Sequence, residues 1–461
     1  MYAPHPTIDQ KIEQPNLPVV LAAIWIVSAA VFGANFYALR FAGFLDITIE
    51  RLIFLPIILL LLSGMFSGKV DLQKNNTIEI FMGMFVLVCL ISMTITGFLP
   101  SAPQFPSPWF VFISGYLFPF MIFIFAKSYI VNERHVLFIL HTLFFFGIYL
   151  CLTSFLEFAD LRQFVFPRYI ADLSIGIHIE RARGPFLNAP FNGVAILAGF
   201  ICGLHLLQKK EGFKRFFYQA ALLLFFPAVF FTLTRAIYLA MLATVIIFLG
   251  WYKTPFPKWK MIALPLAIVL VVGLANAPRL LSTDRRAGGV YQVVEVDIRA
   301  ALLERSALLF SEKPFVGVGL AQFIPASSQT YRGKTPYVIE TAGTQFQHNH
   351  LLGIATEMGI PGILLYLAIV IHILRRFKQL AGKLPEAGIM GNNLLVVIVS
   401  IWCVYLINNL FVEPSNNLFV NVIPFLFAGL ADGLYVRSLQ PDVTSQVFMS
   451  RSPMRIMRSH V

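Results

Sequence analysis

The sequence predicts an all-α polytopic membrane protein. Hydrophobic residues make up 58% of its 461 residues, and only 13% are charged. The mean hydropathy is +0.76. Apolar runs of about 20 residues recur from end to end, and each is long enough to cross a hydrocarbon core of ~30 Å. The length alone would suit two or three soluble domains. Because the chain has no long soluble stretch to form one, residues 1–461 are predicted to be a single integral-membrane domain.

The hydropathy pattern places about twelve transmembrane helices along the chain. The predicted spans are 18–38, 51–67, 77–99, 107–126, 135–157, 190–208, 217–233, 236–251, 259–276, 350–374, 392–412 and 417–436. The first span could be mistaken for a cleaved signal peptide. It is longer than the apolar region of such peptides, and Lys11 is the one basic residue before it, so we expect it to be retained.

Basic residues concentrate in alternate loops, which orients the bundle by the positive-inside rule. These residues are Lys69, Lys74, Lys127, Arg134, Lys209, Lys210, Lys214, Arg215, Lys253, Lys258, Lys260, Arg375, Arg376, Lys378 and Lys383. The rule places their loops and both termini in the cytoplasm. The opposite, outer side then receives 158–189, the tight turn 234–235 and one large loop, residues 277–349, which carries part of the predicted site.

The net charge of +12 is therefore mostly a topology signal. Binding of nucleic acid is a poor interpretation, because the basic residues are spread over short loops. The four cysteines fall within predicted spans and are read as small buried apolar residues. The sequence shows no CxxC pair or His/Cys cluster, so neither a metal nor a cofactor is predicted.

Polar groups crowd residues 347–350, just before an apolar helix that runs to about residue 373. His348 can accept or donate a proton near neutral pH and stands at the mouth of this span. Gly359, Pro361 and Gly362 permit a kink and close packing further along. Glu357 lies too far along the helix to touch His348, and we expect it to anchor the helix through another partner, such as a loop arginine.

Three arginines fall on the predicted outer side, and each is a candidate ligand for an anion. Arg183 follows Arg181 and precedes a Gly-Pro turn and a helix start, a combination suited to binding anions. Arg235 lies in the tight turn between two apolar helices, where a charge is costly unless it meets a partner or a water-filled cavity. Arg299 opens an amphipathic helix over 296–310, where an acid would suit the helix dipole better. The alternative for Arg183 and Arg235 is snorkelling to the lipid headgroups.

A last polar cluster lies in the connection between the final two spans. It contains Asn408, Asn409, Glu413, Asn416 and Asn417. These side chains could cap helix ends or bind sugar hydroxyls, and capping is the favoured interpretation.

Together these motifs resemble the signature of the O-antigen ligase and O-antigen polymerase superfamily. His348-Asn349, nine residues and then Gly359-x-x-Gly362 match its histidine motif. Upstream, Arg299 with the following helix and Pro314–Gly319 is similar to the family's arginine-helix segment. Arg235 with Leu239 and Arg183-Gly184-x-Phe186 are similar to two further arginine elements. The family helix usually carries a tryptophan near 303, where this chain has Leu303.

The resemblance implies an integral-membrane glycosyltransferase with a bundle of the GT-C type. Such enzymes move a glycan from an undecaprenyl-diphosphate carrier to an acceptor hydroxyl on the periplasmic face of the bacterial inner membrane. They invert the anomeric centre and need no metal. The resemblance assigns His348 as the catalytic base and Arg183, Arg235 and Arg299 as ligands of the donor diphosphate. Asn349, Glu357, Gly359 and Gly362 support them.

Two alternatives remain open at this stage. Within the superfamily, a ligase uses the lipid A core as acceptor, whereas a polymerase uses a growing glycan; the histidine-motif spacing favours the ligase. From another class, a transporter of lipid-linked glycans would also need arginines facing a cavity. It would not need His348 at the mouth of a span, and the matched halves typical of transporters are not seen in the sequence.

The topology is directly testable. Reporter fusions near residues 212, 257 and 380 should report the cytoplasm, and one near residue 330 should report the periplasm, because the basic loops fix the orientation. A periplasmic signal at 380 would put His348 in the wrong compartment and contradict the functional hypothesis.

Overall fold

The computed structural model describes residues 16–41, 45–70, 76–100, 105, 107–253, 293–327 and 336–439, with isolated positions between 267 and 278. This part of the chain is helical apart from one small hairpin. In the hairpin, strands β1 (Ala38–Phe41) and β2 (Leu45–Thr48) pair in antiparallel fashion, with Ala38 opposite Thr48. The predicted all-α membrane class is confirmed.

The helices are numbered in chain order over the described residues. They are α1 Leu17–Val31, α2 Ile49–Phe66, α3 Thr77–Thr96, α4 Pro108–Tyr129 with a π turn at Ile113–Leu117, α5 Glu133–Phe158, α6 Ala189–Leu206, α7 Gly212–Phe231, α8 Arg235–Trp251, α9 Val293–Glu312, α10 Phe323–Ser327, α11 Pro336–Ala342, α12 His350–Leu380, α13 Asn392–Asn409 and α14 Leu418–Ser438. Short 3₁₀ turns lie at Arg162–Phe164, Arg168–Ala171, Gly184–Phe186 and Leu207–Lys209.

Nine helices of the described part are long and apolar enough to cross a membrane. Helices α1 and α8 are apolar but have only 15 and 17 residues. At 1.5 Å per residue they fall short of a ~30 Å core. Eleven of the predicted spans overlap these helices, although the span predicted at 18–38 is helical only to Val31. The span predicted at 259–276 lies outside the fully described ranges. The total of twelve spans and the likeness to a GT-C bundle stay predictions.

Helices α6 and α14 form the centre of the bundle, each with 89% of its span buried. Helix α14 packs on α4, α12 and α13, whereas α6 packs on α5, α7 and α13. The contact with α4 is close because Gly429 has no side chain; a Cβ there would lie 2.1 Å from the Phe123 carbonyl oxygen. Helices α2 and α3 are only 28% and 33% buried, so their apolar outer faces are left for lipid.

The two ends of the bundle differ in their polar contacts. We call the end at which α4, α6, α8, α12 and α14 begin the site end. At the opposite end, Asp432 is fully buried and pairs with Lys127 at 2.8 Å and with Arg376. Lys127 pairs with Glu79 as well. These pairs join α3, α4, α12 and α14 through charges that would be costly to bury alone.

Near the site end, α12 is interrupted at Gly359, whose φ of 65° and ψ of −163° belong to a region open essentially to glycine. Pro361 follows and has no N–H for the Glu357 carbonyl. The segment Pro314–Gly319 supplies the missing partners. Ile360 N–H donates to the Pro314 carbonyl at 2.7 Å, and the Gly319 N–H donates to the Glu357 carbonyl at 2.9 Å. A second segment of the chain thus pairs with the backbone groups left open at the kink. We call this arrangement of Pro314–Gly319 against Glu357–Ile360 the kink clamp.

Gly359→Ala should weaken the kink clamp. An alanine Cβ would lie 2.6 Å from the Phe315 carbonyl, and the backbone angles themselves cost about 1–3 kcal/mol for a residue other than glycine. We expect a lower thermal unfolding temperature in detergent. The matched control is Gly83→Ala in α3, where a Cβ meets nothing within 4 Å. Equal unfolding temperatures for both variants would contradict the role assigned to Gly359.

Candidate functional site

His348 stands immediately before α12 in a left-handed backbone conformation, with a φ of 55°. It is half-buried, and its Nε2 lies 2.9 Å from Oε1 of Gln345. Because an amide oxygen can only accept, this bond places a proton on Nε2, and in the neutral imidazole the lone pair is then on Nδ1. The imidazole is therefore oriented by a neighbour within its own turn and has a nitrogen of the form that a general base requires.

Asn349 fixes the chain directly after the histidine. Its side-chain oxygen accepts from Leu352 N–H at 2.9 Å and caps the first turn of α12. Its amide nitrogen donates to the Leu410 carbonyl at 3.3 Å. The supporting role predicted for Asn349 thus has a concrete geometry: it starts the helix and ties that start to the end of α13.

His350 is buried and paired. Its Nδ1 lies 2.7 Å from Oε1 of Glu413, which also accepts from Ser415 N–H at 3.1 Å. The imidazole stacks on Tyr116 and meets Tyr366 edge-on, at centroid distances of 6.1 and 5.0 Å. Two residues past the candidate base, this contact locks α12 to the α13–α14 connection.

The α13–α14 connection therefore has mixed roles. Asn417 caps α14 by accepting from Val420 N–H at 3.0 Å, as the capping interpretation predicts. Glu413 does not cap a helix but holds His350. Sequence reasoning missed this pair. The available signal was one acidic residue between two apolar helices, which needs a partner when buried.

Glu357 is buried on the second turn of α12. Its carboxylate accepts from Ala321 N–H at 2.9 Å and from Phe323 N–H at 3.3 Å. We expected Glu357 to anchor the helix through another partner, such as a loop arginine, and these two contacts do anchor it, through amides rather than an arginine. The partners are backbone amides at the start of α10, which suit a carboxylate because helix N-termini carry unpaired donors. Gly362 is buried just beyond the kink.

Arg183 is fully buried within the loop between α5 and α6. Its guanidinium donates to three carbonyls: to Ile175 at 2.5 Å, to Ile170 at 3.1 Å and to Asp172. Burial lowers the pKa of the guanidinium, and the nearby Glu157 carboxylate opposes that shift. In this structure three of its five N–H donors hold loop carbonyls in place, so its geometry is that of a loop organiser.

The residues around Arg183 complete a buried junction. Glu157 accepts from Gly184 N–H at 2.8 Å, and Asn192 donates to the Ala182 carbonyl at 3.1 Å. Asn188 caps α6. Gly184 of the arginine element, and Asn188 and Asn192 after it, therefore build the fold locally.

Arg235 and Arg299 differ from Arg183 because both are exposed. Arg235 begins α8 directly after the turn from α7. Arg299 lies on α9, which packs against α11 and α12. Exposed guanidinium groups at a helix start and on a surface helix are accessible to an external anion.

Contacts link these elements at the site end. Ala182 N–H donates to the Phe231 carbonyl at 3.0 Å and joins the Arg183 loop to the turn before Arg235. Phe186 contacts Phe419 with ring centroids 5.4 Å apart, which joins the same loop to the start of α14. Direct convergence of the three guanidinium groups on one point stays a prediction.

Among the residues that the structure describes, no three histidine, cysteine, aspartate or glutamate side chains lie together as a set of metal ligands.

Comparison with known proteins adds one finding. A family model described as O-Antigen ligase matches residues 220–367. The matched stretch contains Arg235, Arg299, His348, Asn349, Glu357, Gly359 and Gly362, and it begins after Arg183. No curated protein matches the chain. The match supports a bacterial multi-pass membrane protein with a glycan ligase or polymerase type of role. The resemblance read from the motifs is confirmed: residues 220–367 match the O-antigen ligase family.

Proposed function

We propose that this protein transfers a glycan from an undecaprenyl-diphosphate carrier to an acceptor hydroxyl on the periplasmic face of the bacterial inner membrane, as an O-antigen ligase. One observation carries the proposal. His348 lies in a constrained turn at the head of α12, within the segment that matches the family, and its Nε2 is held by Oε1 of Gln345 at 2.9 Å.

In the proposed reaction, Nδ1 of His348 takes the proton of the acceptor hydroxyl. The hydroxyl oxygen attacks the anomeric carbon from the face opposite the carrier. The bond between that carbon and the phosphate oxygen breaks, and undecaprenyl diphosphate leaves with its electron pair. The anomeric centre is inverted, and no metal takes part. A base positioned by Gln345 and by the cap at Asn349 suits this single displacement.

The leaving diphosphate gains negative charge in the transition state, and fixed cations stabilise that charge. Arg235 and Arg299 are exposed at the site end and are the proposed direct ligands. Arg183 was predicted to be a third ligand. Given its contacts with three carbonyls, we propose that it mainly shapes the loop beside Arg235, to which Ala182 is bonded.

A polymerase is the second candidate, because the family match supports both acceptor types. The two differ in the product that a deletion strain accumulates. Loss of a ligase leaves finished polymer on its carrier and removes it from lipopolysaccharide. Loss of a polymerase leaves single repeat units on the lipid A core.

The proposed base is tested by His348→Ala in purified protein reconstituted into vesicles with a glycosylated undecaprenyl diphosphate and an acceptor. General-base assistance contributes about 10²–10⁴-fold. We expect the transfer rate to fall by about that factor, while the variant still binds the donor. The matched control is His372→Ala on the distant part of α12, where the imidazole only meets the Ala368 carbonyl and Phe81.

The control should transfer glycan at the native rate. Native transfer by His348→Ala would refute the base assignment. Glycolipid movement across the membrane by both the native protein and His348→Ala, with no transfer by either, would favour the transporter alternative.

A further inference from the structure

The loop between α5 and α6 exposes an unusual number of apolar side chains. They are Phe164 at 68%, Phe166 at 57%, Ile177 at 54%, Leu173 at 48%, Leu161 at 41% and Ile179 at 37% exposure. We call residues 161–179 the wedge. Isolated exposed apolar residues are ordinary, but a contiguous group outside the spanning helices marks an interaction surface.

The position of the wedge indicates what covers it. The Tyr149 hydroxyl donates to the Phe166 carbonyl. Tyr149 lies nine residues before the end of α5 at Phe158, which at 1.5 Å per residue is ~13 Å back along the helix. Phe166 therefore does not project beyond the bundle. It lies beside α5 at a depth that a ~30 Å hydrocarbon core would reach.

The face of α5 at this level is exposed to lipid. Phe145 and Leu152 are 49% and 53% exposed, and they lie four residues before and three residues after Tyr149. This spacing puts all three on one face of the helix. The wedge thus continues an apolar stripe of the bundle wall.

Non-helical backbone at this depth must have its polar groups satisfied by protein. Side-chain donors of the protein do this for the wedge, and one of them, Arg183, is fully buried. Arg183 binds the carbonyls of Ile170, Asp172 and Ile175. Arg162 binds the carbonyl of Ile179 at 2.8 Å, and Tyr149 binds that of Phe166. The polar turn of the wedge is self-contained, since Ser174 donates to the Asp172 carboxylate from both its N–H and its hydroxyl.

We propose that the wedge is embedded in the outer leaflet, with Phe164 and Phe166 in contact with the acyl chains of bilayer phospholipid and with the side chains of Asp172 and Ser174 in water. Arg183 then has a second role in the wedge. By holding three wedge carbonyls, it couples the depth of the wedge in the bilayer to the junction that precedes Arg235. The proposal depends only on the membrane location of the chain and is independent of its reaction.

Nitroxide labels can measure this depth in the full-length protein in phospholipid vesicles. Single cysteines replace Phe164, Phe166, Leu152 or Ser174 in a chain whose four native cysteines are alanine. Three of those cysteines are buried and one is half-buried. Oxygen collects in the bilayer, whereas a nickel chelate stays in water. Leu152→Cys is the lipid standard and Ser174→Cys is the water standard.

We expect labels at 164 and 166 to match the Leu152 standard, with a ratio of oxygen to nickel accessibility several-fold above that at Ser174. A ratio like that at Ser174 would overturn the proposal, since the wedge would then stand in water. Low accessibility to both reagents would also overturn it, because a second protein surface would then cover the wedge.

A second measurement leaves the native cysteines in place. Benzoylphenylalanine at position 164 is irradiated in the same vesicles, and the adduct is weighed. A phospholipid adduct supports the proposal. A second variant carries the same label at position 152 as the lipid standard. The proposal is overturned if the label at 164 gives a protein–protein adduct, or if it gives no adduct while the label at 152 gives a phospholipid adduct.

Discussion

The hydrogen bond from Ile360 N–H to the Pro314 carbonyl, 2.7 Å long, closes the kink on which the site end depends. At Gly359 the α-helical pattern breaks, and the polar groups freed there would be orphaned in a membrane. The Pro314–Gly319 segment takes them up. The outer part of α12 is thereby fixed relative to the spanning part, and His348 at its head is fixed with it.

Three further contacts limit where that head can go. Glu357 receives two amides from the start of α10, Glu413 receives His350, and Asn349 reaches the end of α13. The partners lie in two places, the start of α10 and the α13–α14 connection, so α12 is held from two sides by groups that are costly to leave unpaired. Rigidity of this kind suits a base that must meet a hydroxyl within hydrogen-bond distance.

Much of this could be predicted from the sequence, and the limits have physical causes. Apolar runs predicted helices because crossing a membrane leaves few other options for the backbone. The spacing from His348 to Gly362 predicted both the motif and the kink. The clamp partners could not be predicted, because backbone groups such as Gly319 N–H leave no trace in residue identity. The same limit explains Arg183: its sequence context suits an anion, but carbonyls of its own loop occupy its donors. Arg183 is buried and Arg235 is exposed, and the sequence of a loop does not show which of its arginines will be buried.

The central claim is that the kink clamp presents His348 to a donor whose diphosphate is held by Arg235 and Arg299. A cryo-electron microscopy structure of the protein with a bound undecaprenyl-diphosphate glycan would test it most directly. The account predicts phosphate oxygens within hydrogen-bond distance of the Arg235 and Arg299 guanidinium groups. It also predicts that the face of the anomeric carbon opposite the diphosphate is turned toward His348. A diphosphate bound away from both arginines, or a sugar whose anomeric carbon is remote from His348, would contradict it.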